Sequence, residues 1–154
     1  MDKVTRVDGN RHGDEQIAAL RAFLAPEPDK AERLTRQLVE AGNAEGYGEL
    51  VYAAFAVAVR RRFSPTWTIS GIIRFVATAR ARLLDDAIAI DPHTAEVLIR
   101  RALGDGIATE VEEETRARAQ VFLLSELVSD EELDAAGLSG FLAQARALAD
   151  QLIA

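Results

Sequence analysis

Ten consecutive apolar residues, Leu50 to Val59 (LVYAAFAVAV), constrain this chain more than any other stretch. The run is about half of the roughly 20 residues needed to cross a bilayer, so it reads as a buried helix rather than a membrane span. A helix that is apolar on every side has no solvent face, and others must pack around it. The composition supports that reading. Of 154 residues 28 are Ala, the strongest helix former, and 49% are apolar. The expected fold is all-α: a single-domain bundle of seven or eight helices around this central helix, about residues 47–62, with helix four beside it in antiparallel contact.

Punctuation along the chain divides the remaining helices. Gly9, Asn10 and Gly13 stand among charges, so residues 1–13 read as a flexible lead-in and residues 14–154 as the domain. Ile17, Leu20, Phe23 and Leu24 then recur at helical spacing, and Pro26 and Pro28 stop that helix. Asp29 is expected to cap the second helix and Gly42 to end it. Thr68 is placed to cap the fourth helix, reaching about Leu84. Asp91-Pro92 opens the fifth, with Asp as cap and Pro at the first helical position; Gly104 stops it. A sixth helix, from about Ile107 to Val128, starts amid Glu110 and Glu112 to Glu114, acids that suit the positive end of its dipole. Ser129 to Glu132 has capping-box spacing and predicts a short helix closed by Gly137. The last helix, from Ser139, has Leu138, Phe141, Leu142, Ala145, Leu148, Ala149 and Leu152 at steps of three and four, the clearest amphipathic stripe in the chain.

Several function classes fall away at this level. With no cysteine there is no disulfide framework and no thiolate zinc site. The first fifteen residues lack the apolar core of a signal peptide, which makes the cytoplasm the expected compartment and membrane association unexpected. Asp85, Asp86, Asp91 and His93 form a local acidic group with one imidazole, but Asp91 already serves as a cap and the others as helix-end polar residues. No HExxH motif, Gly-x-Ser-x-Gly turn or phosphate loop occurs. Neither catalytic residues nor cofactor or metal ligands are expected, and the chain reads as non-enzymatic.

Charge is the most uneven property. The formal net charge of −7 argues against general polyanion binding. That average conceals two opposed stretches. Residues 50–84 carry six arginines and no acid, while residues 105–154 carry eleven acids and three arginines. The leading expectation is that the arginines pair with the acid-rich third, within the fold or across a dimer. A second reading is a helix-turn-helix DNA-binding regulator, with Ser64 to Trp67 as the turn and Arg74, Arg80 and Arg82 on the reading helix. A third is a small-molecule pocket between helices three and four, with an arginine taking the acid group of an anionic ligand. Arg80 falls in the middle of an apolar arc and is expected to make a buried structural pair. Trp67 is expected to plug the end of the core, with a partner anchor as the alternative.

The stretch AVRRRFSPTWTISGIIRFVATARARL, followed by DPHTAEVLIRRALGD, resembles a set of uncharacterised small all-helical proteins of high-GC actinobacteria. The resemblance spans about residues 30–105, implies a helical fold and that source, and carries no functional residue. The expected role is a protein-interaction or scaffold module, self-associating as a homodimer through an apolar helix face. Candidate contact residues are Arg74, Arg80, Arg82 and Trp67, together with Leu138, Phe141, Leu142, Leu148 and Leu152 of the last helix.

Overall fold

The computed structural model describes residues 2–83, 90–105 and 110–153. These form seven helices and no strand: α1 (Asp2–Leu24), α2 (Pro28–Glu40), α3 (Tyr47–Phe63), α4 (Ile69–Ala81), α5 (Pro92–Ala102), α6 (Glu113–Glu131) and α7 (Ala135–Ile153). Among the described residues no helix is long and apolar enough to cross a membrane. The apolar run became the enclosed helix it predicts. Leu50, Ala53 to Ala56, Ala58 and Val59 are all buried and span more than one helical turn, while Val51, Tyr52 and Val57 are half-buried, so no residue of the run is fully exposed.

The chain packs as two compact units, Met1–Ala53 with Leu133–Ala154, and Ala54–Glu132. In the first, α1 packs against α2 and α7. α1 starts at Asp2 rather than near Asp14. Gly9 and Gly13 weaken a helix by about 1 kcal/mol each without forbidding it. Gln16 is buried and donates from Nε2 to the carbonyls of Asn43 (2.9 Å) and Glu45 (2.8 Å), which latches the loop after α2 onto α1. Gly42 holds the left-handed conformation, φ 73°, in which glycine is cheapest. The cap of α2 differs from expectation: Glu27 is the N-cap, Pro28 is the first helical residue and Asp29 lies within the first turn. Proline's fixed φ and missing amide hydrogen suit the first helical position, which moves the boundary back.

α7 begins one helical turn earlier than Ser139, and its Leu138, Phe141, Leu142, Ala145 and Ala149 are buried within the fold. Gly137 does not close a helix. It lies in the first turn of α7, where its amide donates to Asp134 Oδ1 at 2.7 Å.

In the second unit, α5 packs against α4 and α6. Thr68 Oγ1 accepts from the Gly71 amide at 3.0 Å, as its position predicts. Asp91 Oδ2 accepts from both the amide and the hydroxyl of Thr94 at 2.8 Å. These two bonds, backbone first, hold the Asp91 carboxyl below its usual range, with smaller contributions from His93 and Arg80. Gly104, φ 86°, follows α5 as expected. The short helix predicted from Ser129 is absent; α6 continues to Glu131, and Glu132 turns the chain in the left-handed region at φ 52°. The reason is tertiary. Arg82 and Arg61 reach Asp130 and Glu131 on this last turn and hold it helical.

Candidate functional site

The arginines of residues 60–82 separate into spent and available groups. Arg60 Nε donates to the Ala102 carbonyl at 3.1 Å, satisfying one of the free carbonyls at the end of α5. Arg61 lies 2.6 Å from Glu131. Arg82 Nη1 donates to Glu126 Oε2 at 2.8 Å and to Asp130 Oδ1 at 2.9 Å, and these carboxylates hold its proton more tightly than usual. Self-pairing with the acid-rich third is therefore realised within the second unit for Arg61 and Arg82.

Arg80 is half-buried, and its Nε donates to the Ile90 carbonyl at 2.8 Å. A backbone carbonyl thus takes the Nε donor of Arg80, an acceptor that carries no formal charge of its own.

Arg62 and Arg74 face a surface groove of about 330 Å³. The Arg62 guanidinium carbon lies 6.0 Å from the Phe63 ring centroid and 5.6 Å from that of Phe75, within cation–π range. The two rings meet edge to face, centroids 5.6 Å apart at 88°. They join the end of α3 to α4 and form an apolar wall. Gly71, Thr78, Ala79, Arg82 and Asp130 complete the lining together with Arg74, which is exposed. Among the described residues Arg74 has no ion-pair partner. On the side of α4 away from the groove, Ile69 and Ile73 stand one turn apart at 51% and 46% exposure, large for aliphatic side chains.

This arrangement suits anion binding. A guanidinium matches a carboxylate or phosphate in a two-bond fork, and an aromatic wall adds apolar contact without demanding one ligand shape. The one carboxylate in the lining, Asp130, is engaged by Arg82. Among the described residues no three His, Cys, Asp or Glu side chains group to hold a metal. Asp85 and Asp86 lie outside the described residues.

The sequence-predicted site residues do not converge. Arg74 and Arg82 share the groove; Arg80 points to Ile90 and Trp67 is half-buried in the turn before α4, apart from the lining. Leu138, Phe141 and Leu142 belong to the core, Leu148 is half-buried, and Leu152 alone of that stripe is exposed, at 49%. The self-association surface expected on the last helix is thus mostly consumed by the fold itself. Phe63, Phe75, Thr78 and Asp130 were not anticipated as lining residues. The available signal was the repeated Arg-Phe dipeptide, Arg62-Phe63 and Arg74-Phe75, one at the end of α3 and one within α4.

A helical chain with an arginine-edged, aromatic-walled groove is as far as fold and site define a class. Comparison with protein-family models, curated proteins and solved structures returned no match.

Proposed function

We propose that this protein is a non-enzymatic interaction module that binds an acidic protein segment along α4 and the adjoining groove. The observation that carries this is Arg74, an exposed guanidinium in the groove lining with no ion-pair partner among the described residues, on the same helix as the exposed pair Ile69 and Ile73. A partner segment that carries an acid and apolar residues, and that crosses α4, would reach all three side chains; a free anion would reach only Arg74 of the three. The DNA-regulator reading is weaker on the same residues. Of its three reading arginines, Arg80 donates to a backbone carbonyl and Arg82 is neutralised by two carboxylates.

Fluorescence anisotropy with three labelled probes tests the proposal: an amphipathic Glu/Leu helical peptide, its Lys/Leu counterpart, and a duplex DNA. The acidic peptide is expected to bind, and Arg74→Glu to weaken it by about tenfold or more, equivalent to about 1.4 kcal/mol. Preferential binding of the duplex with steep salt dependence, or acidic-peptide binding indifferent to Arg74→Glu, overturns it.

A further inference from the structure

The fold separates the cations around the groove by what meets them. Arg61 lies against Glu131, and Arg82 is shared by Glu126 and Asp130, so neither has charge to spare for a ligand. Arg62 and Arg74 differ. Both are exposed, both line the groove, and among the described residues neither has a carboxylate partner. They come from two elements, Arg62 from the last turn of α3 and Arg74 from α4. The Arg62 guanidinium stands over the rings of Phe63 and Phe75 at 6.0 and 5.6 Å, a contact that holds it by its charge and uses none of its N–H donors on an oxygen. Thr78, one turn beyond Arg74, adds a hydroxyl to the same lining.

Resting on the groove reading above, we infer that the acid this groove selects is a phosphorylated serine or threonine of the partner segment. One carboxylate fills the two-bond fork of one guanidinium and leaves a second guanidinium without a partner. A phosphate ester carries a charge of about −1.5 to −2 near neutral pH and three acceptor oxygens, enough to engage guanidinia from two helices at once. Asp130, the one acid in the lining, is already bridged by Arg82. The same acid and its neighbours decide between sources of phosphate. Asp130, Glu131 and Glu132 are all exposed, so a row of phosphates running on past Asp130 meets repulsion there. A single phosphate on a protein segment avoids it, which favours a phosphorylated protein over a nucleic-acid backbone.

Anisotropy of the full chain with three labelled peptides provides the test: one Gln/Leu sequence carrying a central serine, glutamate or phosphoserine. The phosphoserine peptide is expected to bind about tenfold more tightly than the glutamate peptide, and the serine peptide to bind most weakly. Arg62→Gln should remove that preference while leaving the glutamate peptide within about twofold of its wild-type affinity, whereas Arg74→Gln should weaken both acidic peptides. Arg62→Lys should keep only part of the preference, because an ammonium offers charge without the planar fork. Both arginines are exposed, and unchanged helical circular dichroism checks the fold of each variant. Equal affinity for the phosphoserine and glutamate peptides, or a preference that survives Arg62→Gln, overturns the inference. Inorganic phosphate binding as tightly as the phosphoserine peptide also overturns it, in favour of a free anion. If the Glu/Leu peptide binds in an Arg74-dependent way while phosphoserine gains nothing over glutamate, phosphate selection fails and the groove reading survives; if no acidic peptide binds, both fail.

Discussion

Arg82, just past the end of α4, donates through one nitrogen to Asp130 at 2.9 Å, and the same nitrogen serves Glu126 at 2.8 Å. The two acids are one turn apart on α6, so without the guanidinium they repel. Arg82→Met should therefore lower the melting temperature more than either Glu126→Gln or Asp130→Asn, because it leaves two like charges facing each other. The double variant Arg82→Met/Asp130→Asn should recover part of that loss. Thermal melts of the four proteins check the order, and about 500 mM NaCl should narrow the differences by screening. Equal losses from Arg82→Met and Asp130→Asn would contradict the shared bridge.

Asp91 gives a pH-dependent cap. Its folded pKa lies below the ordinary 3.8, chiefly through the Thr94 amide and then the Thr94 hydroxyl. A depressed folded pKa contributes stability that is fully present above the unfolded value and is lost as pH falls through the folded one. Asp91→Ala should cost about 1 kcal/mol at neutral pH, the ordinary worth of an N-cap. Asp91→Asn keeps a cap oxygen and has nothing to titrate. Urea melts from about pH 5 down to about pH 3 should show wild type losing more stability than Asp91→Asn over that range.

Phe141 is fully buried on α7, whereas Leu152, on the same amphipathic stripe, is 49% exposed. Phe141→Ala should cost about 3–5 kcal/mol through lost burial and the cavity left behind. Leu152→Ala should stay within about 0.5 kcal/mol of wild type. Denaturant titration of both variants measures the difference. A similar cost for the two would mean that Leu152 is covered in solution.

What could be read in advance was what acts over a few residues. Thr68 and Asp91 capped where predicted, and Gly42 and Gly104 took left-handed turns after their helices, since caps and positive φ depend on near neighbours. The enclosed α3 followed from an uninterrupted run of apolar residues. The misread boundary at Ser129 had a local signal, the capping box, overridden by distant partners: Arg61 on α3 and Arg82 after α4 hold the last turn of α6 through Glu131 and Asp130. Arg100 likewise lies 2.6 Å from Asp105 beyond the end of its helix, a pairing that helical spacing does not mark. The site was legible only in part for the same reason. Segregated charge marked the arginines, but which of them the fold consumes depends on contacts such as Arg60 to Ala102. Periodicity likewise marked the α7 stripe as apolar; that its own fold covers Leu138, Phe141 and Leu142 is a matter of packing.

Glu132 is the one described non-glycine residue with positive φ, at 52°, where it ends α6 before Asp134 caps α7. For an L-residue with a Cβ the left-handed region costs about 1–2 kcal/mol, and glycine relieves that cost. Glycine also gains freedom in the unfolded chain, which offsets part of the benefit. Glu132→Gly should therefore stabilise the protein by about 0.5–1 kcal/mol. Glu132→Val should destabilise it, since a β-branched side chain tolerates this conformation least. The ion pairs of Arg61 with Glu131 and Arg82 with Asp130 remain in both variants, so the opposite signs isolate the backbone term. Midpoints of urea unfolding measure both, and a destabilised glycine variant would show that Glu132 contributes through its side chain rather than tolerating a strained turn.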